Sequence, residues 1–250
     1  MDVRKGHITE FVDQLILRDA KHTARNTLKL VRQMFRFAVD RDLIEFDPTA
    51  GLSITKVTTK PTERDRVLSD AEIRALAHQI PLAGLMPSTE AAIWIMLSIC
   101  CRVGELSRVK LEHVDQNAGS WVIPAEHCKK GKQHTIYLSN FARTQFETLL
   151  SVTQSGVWLL PNRDNNGHVC DKSLSKQIDS HQNAAIQSHR SKLNTSLALS
   201  GGKWTPHDLR RSGATLMGNL GISPDVIEKC LNPEENKIRR IYQRQELKAE

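Results

Sequence analysis

Residues Thr205 to Thr215 read TPHDLRRSGAT, and the cations they carry are unusual for where they stand. Pro206 suits the first position of a helix, where its missing N–H costs nothing, and Thr205 suits the cap before it. The first turn of a surface helix favours acids, which complement the helix dipole. Here His207 and Arg210 stand three apart on one face of that turn, with Arg211 beside them. Unpaired backbone N–H groups, a guanidinium fork and an imidazole together suit a phosphodiester that must be held while a proton moves. Taken alone, the same residues are more readily explained by an ordinary capped helix with a surface arginine.

Three other stretches carry side chains of matching chemistry. In CCRVGELSRV, Arg102 follows directly on an apolar run and has Glu105 three residues later. An arginine at such an edge needs a partner, so the pair is either a structural ion pair or a rigid guanidinium aimed at an oxyanion. In KKGK, Lys129, Lys130 and Lys132 sit where a hairpin should turn, and each could deliver a proton to a leaving alkoxide or simply aid solubility. Tyr242 is one of two tyrosines and lies among Lys237, Arg239, Arg240 and Arg244. A core tyrosine is the commoner reading, but neighbouring cations would lower the pKa of a nucleophilic phenol. His127, Cys128 and His134 could be drawn as a zinc site, yet their spacing matches no common finger and the hairpin accounts for it.

These residues need a scaffold, and the patterning is mostly helical. Ile8, Phe11, Val12, Leu15 and Ile16 follow an amphipathic helix period. A second helix is predicted from about Thr23 to Val39, burying Leu28, Val31, Phe35 and Ala38. Its other side carries Arg25, Lys29, Arg32 and Arg36 as one basic stripe, which for an isolated helix is an ordinary solvated face. Two helices and DPTAGL bury little core alone, so residues 1–52 read as the back part of a helical domain. Ser53 to Arg66 is polar and aperiodic, as a linker should be. From residue 67 the spacing predicts a helix capped by Ser69 and Glu72, and a buried helix at 89–101. SWVIP and HTIYL form a predicted hairpin, followed by a helix from Ser139 to about Leu150, and VWLL reads as a short strand. A helix follows within Lys172 to Ser200, then the Thr-Pro helix ending near Gly221, a short Ser223-Pro224 helix, and a last one over 236–246.

The bulk numbers agree with a packed chain and an anionic partner. Apolar residues make up 39% and charged ones 25% of 250, enough for a core and too much for wholesale disorder. Thirty-five Lys and Arg against 28 Asp and Glu leave +7, which favours nucleic acid over a membrane surface but is weak by itself. Five cysteines without C-x-x-C spacing point to reduced thiols. No signal peptide is visible, and AAIWIMLSICC is too short to span a bilayer, so an intracellular, soluble protein is expected.

The order Arg, Lys, His-x-x-Arg, Tyr within one helical domain makes the chain resemble the tyrosine recombinases, or phage integrase family, and in particular integrases of prophages and genomic islands. The matching pieces are CCRVGELSRVKLEHVD, WVIPAEHCKKGKQHTIYLS, TPHDLRRSGATLMGNLGISPDVIEKCLN and NKIRRIYQRQ. The resemblance implies a mainly α fold with a small antiparallel β-sheet, with a catalytic domain over 67–250 behind a partial core-binding domain. It implies that Arg102 and Arg210 clamp the scissile phosphate and that Glu105 braces Arg102. Lys129 would protonate the departing 5′ oxygen, His207 would take the phenol proton, and Tyr242 would attack to leave a 3′-phosphotyrosyl bond. Lys130, Lys132, Arg211 and the stripe Arg25, Lys29, Arg32 and Arg36 would contact the DNA backbone. Neither ATP nor a metal would be needed, because bond energy is kept in the covalent intermediate.

The implied partners are double-stranded DNA at attachment sites, three further copies of the chain in a homotetramer, and a directionality factor, in a bacterial cytoplasm on the nucleoid. Two departures stand out. Pro233 follows Asn232 where the family has a phosphate-contacting histidine, and the span from there to Tyr242 is one residue short. The chain is also shorter than such integrases, which leaves open a cleavage-impaired remnant that only binds DNA. A type IB topoisomerase shares the chemistry but fits the motifs less well. An unrelated helix-turn-helix regulator explains the charge and not the ordered residues.

Overall fold

The computed structural model describes residues 3–53, 64–128, 131–182 and 196–232. Lys129, Lys130, Pro233 and Tyr242, the predicted last helix and most of the predicted linker lie outside them. The chain divides into two units, Met1–Arg64 and Asp65–Glu250.

The first unit consists of α1 (Lys5–Leu17) and α2 (Lys21–Asp40), followed by a turn in which Asp47 accepts the Thr49 N–H at 2.7 Å. Its core is small: Ile8, Val12, Ala24, Leu28 and Leu52, flanked by half-buried Leu15, Ile16, Val31 and Phe35. Phe11, expected inside, is 49% exposed, and Ala38 is only half-buried. Between the two helices described in the unit, each buries one narrow stripe, and Phe11 falls outside it. Lys29, Arg32 and Arg36 of the basic stripe are exposed, and Arg25 is partly covered.

In the second unit, helix starts are set by local chemistry. Ser69 caps α3 (Asp70–Gln79) by accepting the Glu72 N–H at 3.3 Å, and Glu72 returns the bond by accepting the Ser69 N–H at 3.0 Å. Pro87 opens α4 (Pro87–Ile99), which is apolar all round and therefore central. It packs against α6 (Asn140–Val152) and α8 (Pro206–Asn219). Trp94 meets Phe141 of α6 edge-on at 6.0 Å. Short α5 (Val103–Ser107) follows α4 at once, and α7 (Asp171–Ser180) lies against it. Helix α9 (Pro224–Leu231) follows α8 and ends at Asn232 in a left-handed turn, φ 45°.

The predicted hairpin is present as β2 (Ser120–Ile123) and β3 (His134–Tyr137), antiparallel, with Ser120 opposite Tyr137 and Ile123 opposite His134. A two-residue strand that the patterning did not predict, β1 (Val114–Asp115), completes a sheet of order β1-β2-β3. Trp121 of β2 tilts onto Phe146 of α6 at 5.6 Å and ties the sheet to the helices. VWLL forms no strand; Trp158 makes a single bridge to Lys110, in which the Leu111 N–H donates to the Val157 carbonyl at 2.9 Å and the Leu159 N–H to the Val109 carbonyl at 3.1 Å. Among the described residues no helix is long and apolar enough to cross a membrane.

Candidate active site

Arg102 is the N-cap of α5, and the acid three residues on faces back onto it. Glu105 accepts the Arg102 backbone N–H at 2.7 Å and its guanidinium at 2.5 Å, so one buried carboxylate serves as both cap and counter-ion. The other guanidinium nitrogen of Arg102 donates to the Asn232 carbonyl at 3.0 Å.

Arg210 reaches the same place from α8. It is only 8% exposed and donates to the carbonyls of Cys100 and Leu231. The Cys100 carbonyl is available because α4 ends there in a left-handed residue, φ 55°. Burial, and next the nearby charge of Arg102, lower the Arg210 pKa, although a guanidinium stays charged in any case. Helix α8 comes this close because residue 213 is glycine: a Cβ there would strike Cys100 Sγ and lie 2.5 Å from the Leu97 carbonyl.

Asp208 organises the start of α8. Wholly buried, it accepts the Thr205 N–H at 2.9 Å and hydroxyl at 2.8 Å, and its other oxygen takes Arg211 at 2.8 Å. His207 stands beside it, exposed to solvent. Its partial burial, then the charges of Arg211 and Arg210, lower its pKa, with Asp208 opposing. A neutral imidazole among cations is suited to accept a proton.

Arg102, Glu105, His207 and Arg210 thus line one cleft of about 450 Å³. Three guanidiniums, those of Arg102, Arg108 and Arg210, and two carboxylates, those of Glu105 and Glu126, line it, which leaves positive charge in excess for an anion with several oxygens. Arg211 is tied to Asp208 and does not line the cleft, and Lys132 is exposed on the hairpin. Among the described residues no group of His, Cys, Asp and Glu is placed to hold a metal ion.

The patterning missed four residues. Asp208 was legible, since T-x-x-D before a helix is a capping box. Arg108 lines the cleft while bonded to Asp171, 63 residues away, a contact with no local signal. Glu126 and His127 line it from the 3₁₀ turn Ala125–His127 after β2, where the sequence considered His127 only as a metal ligand.

The phage integrase family model matches residues 66–248. The prophage integrase IntA of Escherichia coli K12 is 26% identical over 246 residues, covering 97% of this chain and 55% of that protein, so the chain spans about half its length. The tyrosine recombinase XerC of Lactobacillus delbrueckii subsp. bulgaricus is 26% identical over 227 residues, 89% of this chain and 72% of that one. In fold, the chain is similar to a lambda integrase fragment solved as a dimer bound to a COC′ core site, with a TM-score of 0.70 at 15% identity. That match covers 100% of this chain and 84% of the fragment.

Proposed function

The chain belongs to the phage integrase family of tyrosine recombinases, and from that premise we propose that it cleaves and rejoins duplex DNA through a 3′-phosphotyrosyl link, integrating or excising a prophage or genomic island. The observation that carries this reading is the convergence of Arg102, Arg210 and His207, from two distant segments, on one cleft. Both guanidiniums are held before substrate arrives, so they can stabilise charge on a phosphorane without reorganising.

In this scheme the Tyr242 oxygen attacks phosphorus, its proton passes to His207, and the bond to the 5′ oxygen breaks. Lys129 supplies the proton that makes that oxygen a hydroxyl. A 5′ hydroxyl of the partner strand then attacks the phosphotyrosine, which restores Tyr242 and forms the new junction. Cation-rich clamping does the electrostatic work, and the covalent link conserves the bond energy, so the cycle needs neither ATP nor metal. We assign residues 1–52 to the back part of a core-binding domain, 53–66 to a linker and 67–250 to the catalytic domain. Exchange between two duplexes requires four strands to be cut, one tyrosine each, hence four protomers on DNA at the attachment sites, with a directionality factor choosing between integration and excision. Such a substrate places the protein on the bacterial nucleoid.

The test is a nicked duplex carrying the attachment site, from which the cleaved end diffuses away and traps the intermediate. An SDS-resistant protein–DNA adduct is expected, lost in Tyr242→Phe while duplex affinity is kept. An adduct that persists in that variant, or that maps to Tyr137, overturns the assignment.

A further inference from the structure

The cleft holds a second histidine that the scheme above does not use. His127 ends the 3₁₀ turn Ala125–His127 and lines the same cleft as Arg102, His207 and Arg210. The turn is pinned at both ends. Pro124 leads out of β2 and accepts N–H bonds from His127 at 3.0 Å and Cys128 at 3.2 Å, and the Cys128 side chain is buried with Sγ donating to the Ile123 carbonyl at 3.6 Å.

The imidazole is steadied as well. The ring of His113 packs edge-on at 6.1 Å, and His113 is itself fixed by the Lys110 N–H, which donates to its Nδ1 at 3.3 Å. Half-buried, His127 makes no hydrogen bond through its ring nitrogens to any described residue. A ring oriented by a neighbour, with donors free and a cationic cleft in front of it, is what a preorganised anion contact requires.

We propose that His127 is a phosphate-binding residue of this site, donating a hydrogen bond to a non-bridging oxygen of the scissile phosphate alongside Arg102 and Arg210. The inference rests on the phosphate-cleft reading above. The surroundings suit the role. Burial first lowers the His127 pKa, Arg108, Lys110 and His168 lower it further, and Glu126 opposes them. An arriving phosphate favours the protonated ring, so its charge develops when the anion is in place.

The full chain titrated with inorganic phosphate, followed by imidazole ¹⁵N–¹H correlation spectra, tests this without relying on cleavage. The His127 and His207 resonances should both move, and His127→Phe, which keeps a ring against His113, should weaken phosphate about tenfold, as expected for one hydrogen bond to a charged group. His127→Gln, which keeps a donor, should recover most of that loss. On the nicked duplex the rate of adduct formation should fall about a hundredfold in His127→Phe and less in His127→Gln. If His207 responds while His127 stays still, or if the Phe and Gln variants behave alike, the role of His127 is overturned and the cleft reading stands. If neither histidine responds, both fall.

Discussion

Arg210 donates a hydrogen bond to the carbonyl of Cys100, 110 residues earlier in the chain, across the junction of α4 and α8. That bond joins the end of the buried central helix to the helix bearing His207, and Arg102 stands two residues beyond Cys100. The spacing between the two guanidiniums is therefore set by how closely α8 meets α4.

Gly213 controls that approach, so Gly213→Ala should act on both stability and chemistry. The added methyl meets Cys100 Sγ and the Leu97 carbonyl, and one of these is backbone that cannot swing away. Overpacking of this kind costs about 1–3 kcal/mol. Urea unfolding should show that loss, and adduct formation should slow more than tenfold because small displacements at a reacting centre are costly. A variant with unchanged stability and rate would show that α8 can shift without disturbing Arg210.

Glu105 should matter through Arg102. In Glu105→Gln the guanidinium loses its buried counter-ion and one carboxylate oxygen becomes an amide. Adduct formation should drop by roughly ten- to a hundredfold, as for loss of a charge-assisted contact of about 1.5–3 kcal/mol. Binding to uncleaved duplex should change much less, which a filter-binding titration of the same variant checks. Equal losses in both would make Glu105 a general stability residue.

Acid should weaken the start of α3 in a defined window. Glu72 accepts from Arg66 at 3.0 and 2.5 Å and from the Gly201 N–H at 2.7 Å. The Arg66 bond, against the opposing effect of burial, lowers its carboxyl from 4.5 to about 2. The folded value lies below the unfolded one, so the stabilisation is complete above 4.5 and disappears as pH falls through about 2. Its size is about 3 kcal/mol at neutral pH. Urea melts of wild type and Glu72→Gln should differ by a constant amount above that window and converge within it. A difference that holds down to pH 2 would assign the effect to packing.

Duplex binding should depend on the α2 stripe and on salt together. Lys29, Arg32 and Arg36 are exposed, and each contact they make with a phosphate releases a counter-ion. Replacing all three with Ala should weaken binding to any duplex sequence by a similar factor. It should also flatten the plot of log affinity against log salt by nearly one unit per lost contact. An unaltered slope would return the stripe to an ordinary solvated face.

Much of this protein was legible locally. Helix period placed α1, α2 and α4, and caps at Ser69, Ser139 and Thr205 marked three starts, because i to i+3 and i+4 relations are formed within one element. The order of Arg102, Lys129, His207, Arg210 and Tyr242 in the sequence was what led to the expectation of a phosphate site and a recombinase-like domain. What the sequence did not decide was who else shares the cleft. His127 enters it because β2 and a pinned turn end there, and Arg108 because Asp171 holds it from another helix. Phe11 fits the apolar period of α1 yet is left exposed, since period tells which side is apolar and not how wide a stripe its neighbours can cover. Bonds such as Leu68 N–H to Ser212 Oγ, 144 residues apart at 2.8 Å, close the second unit only once distant helices have packed. Periodicity and capping are properties of a few consecutive residues, whereas the shape and charge of a cleft arise from surfaces that meet only in the folded chain.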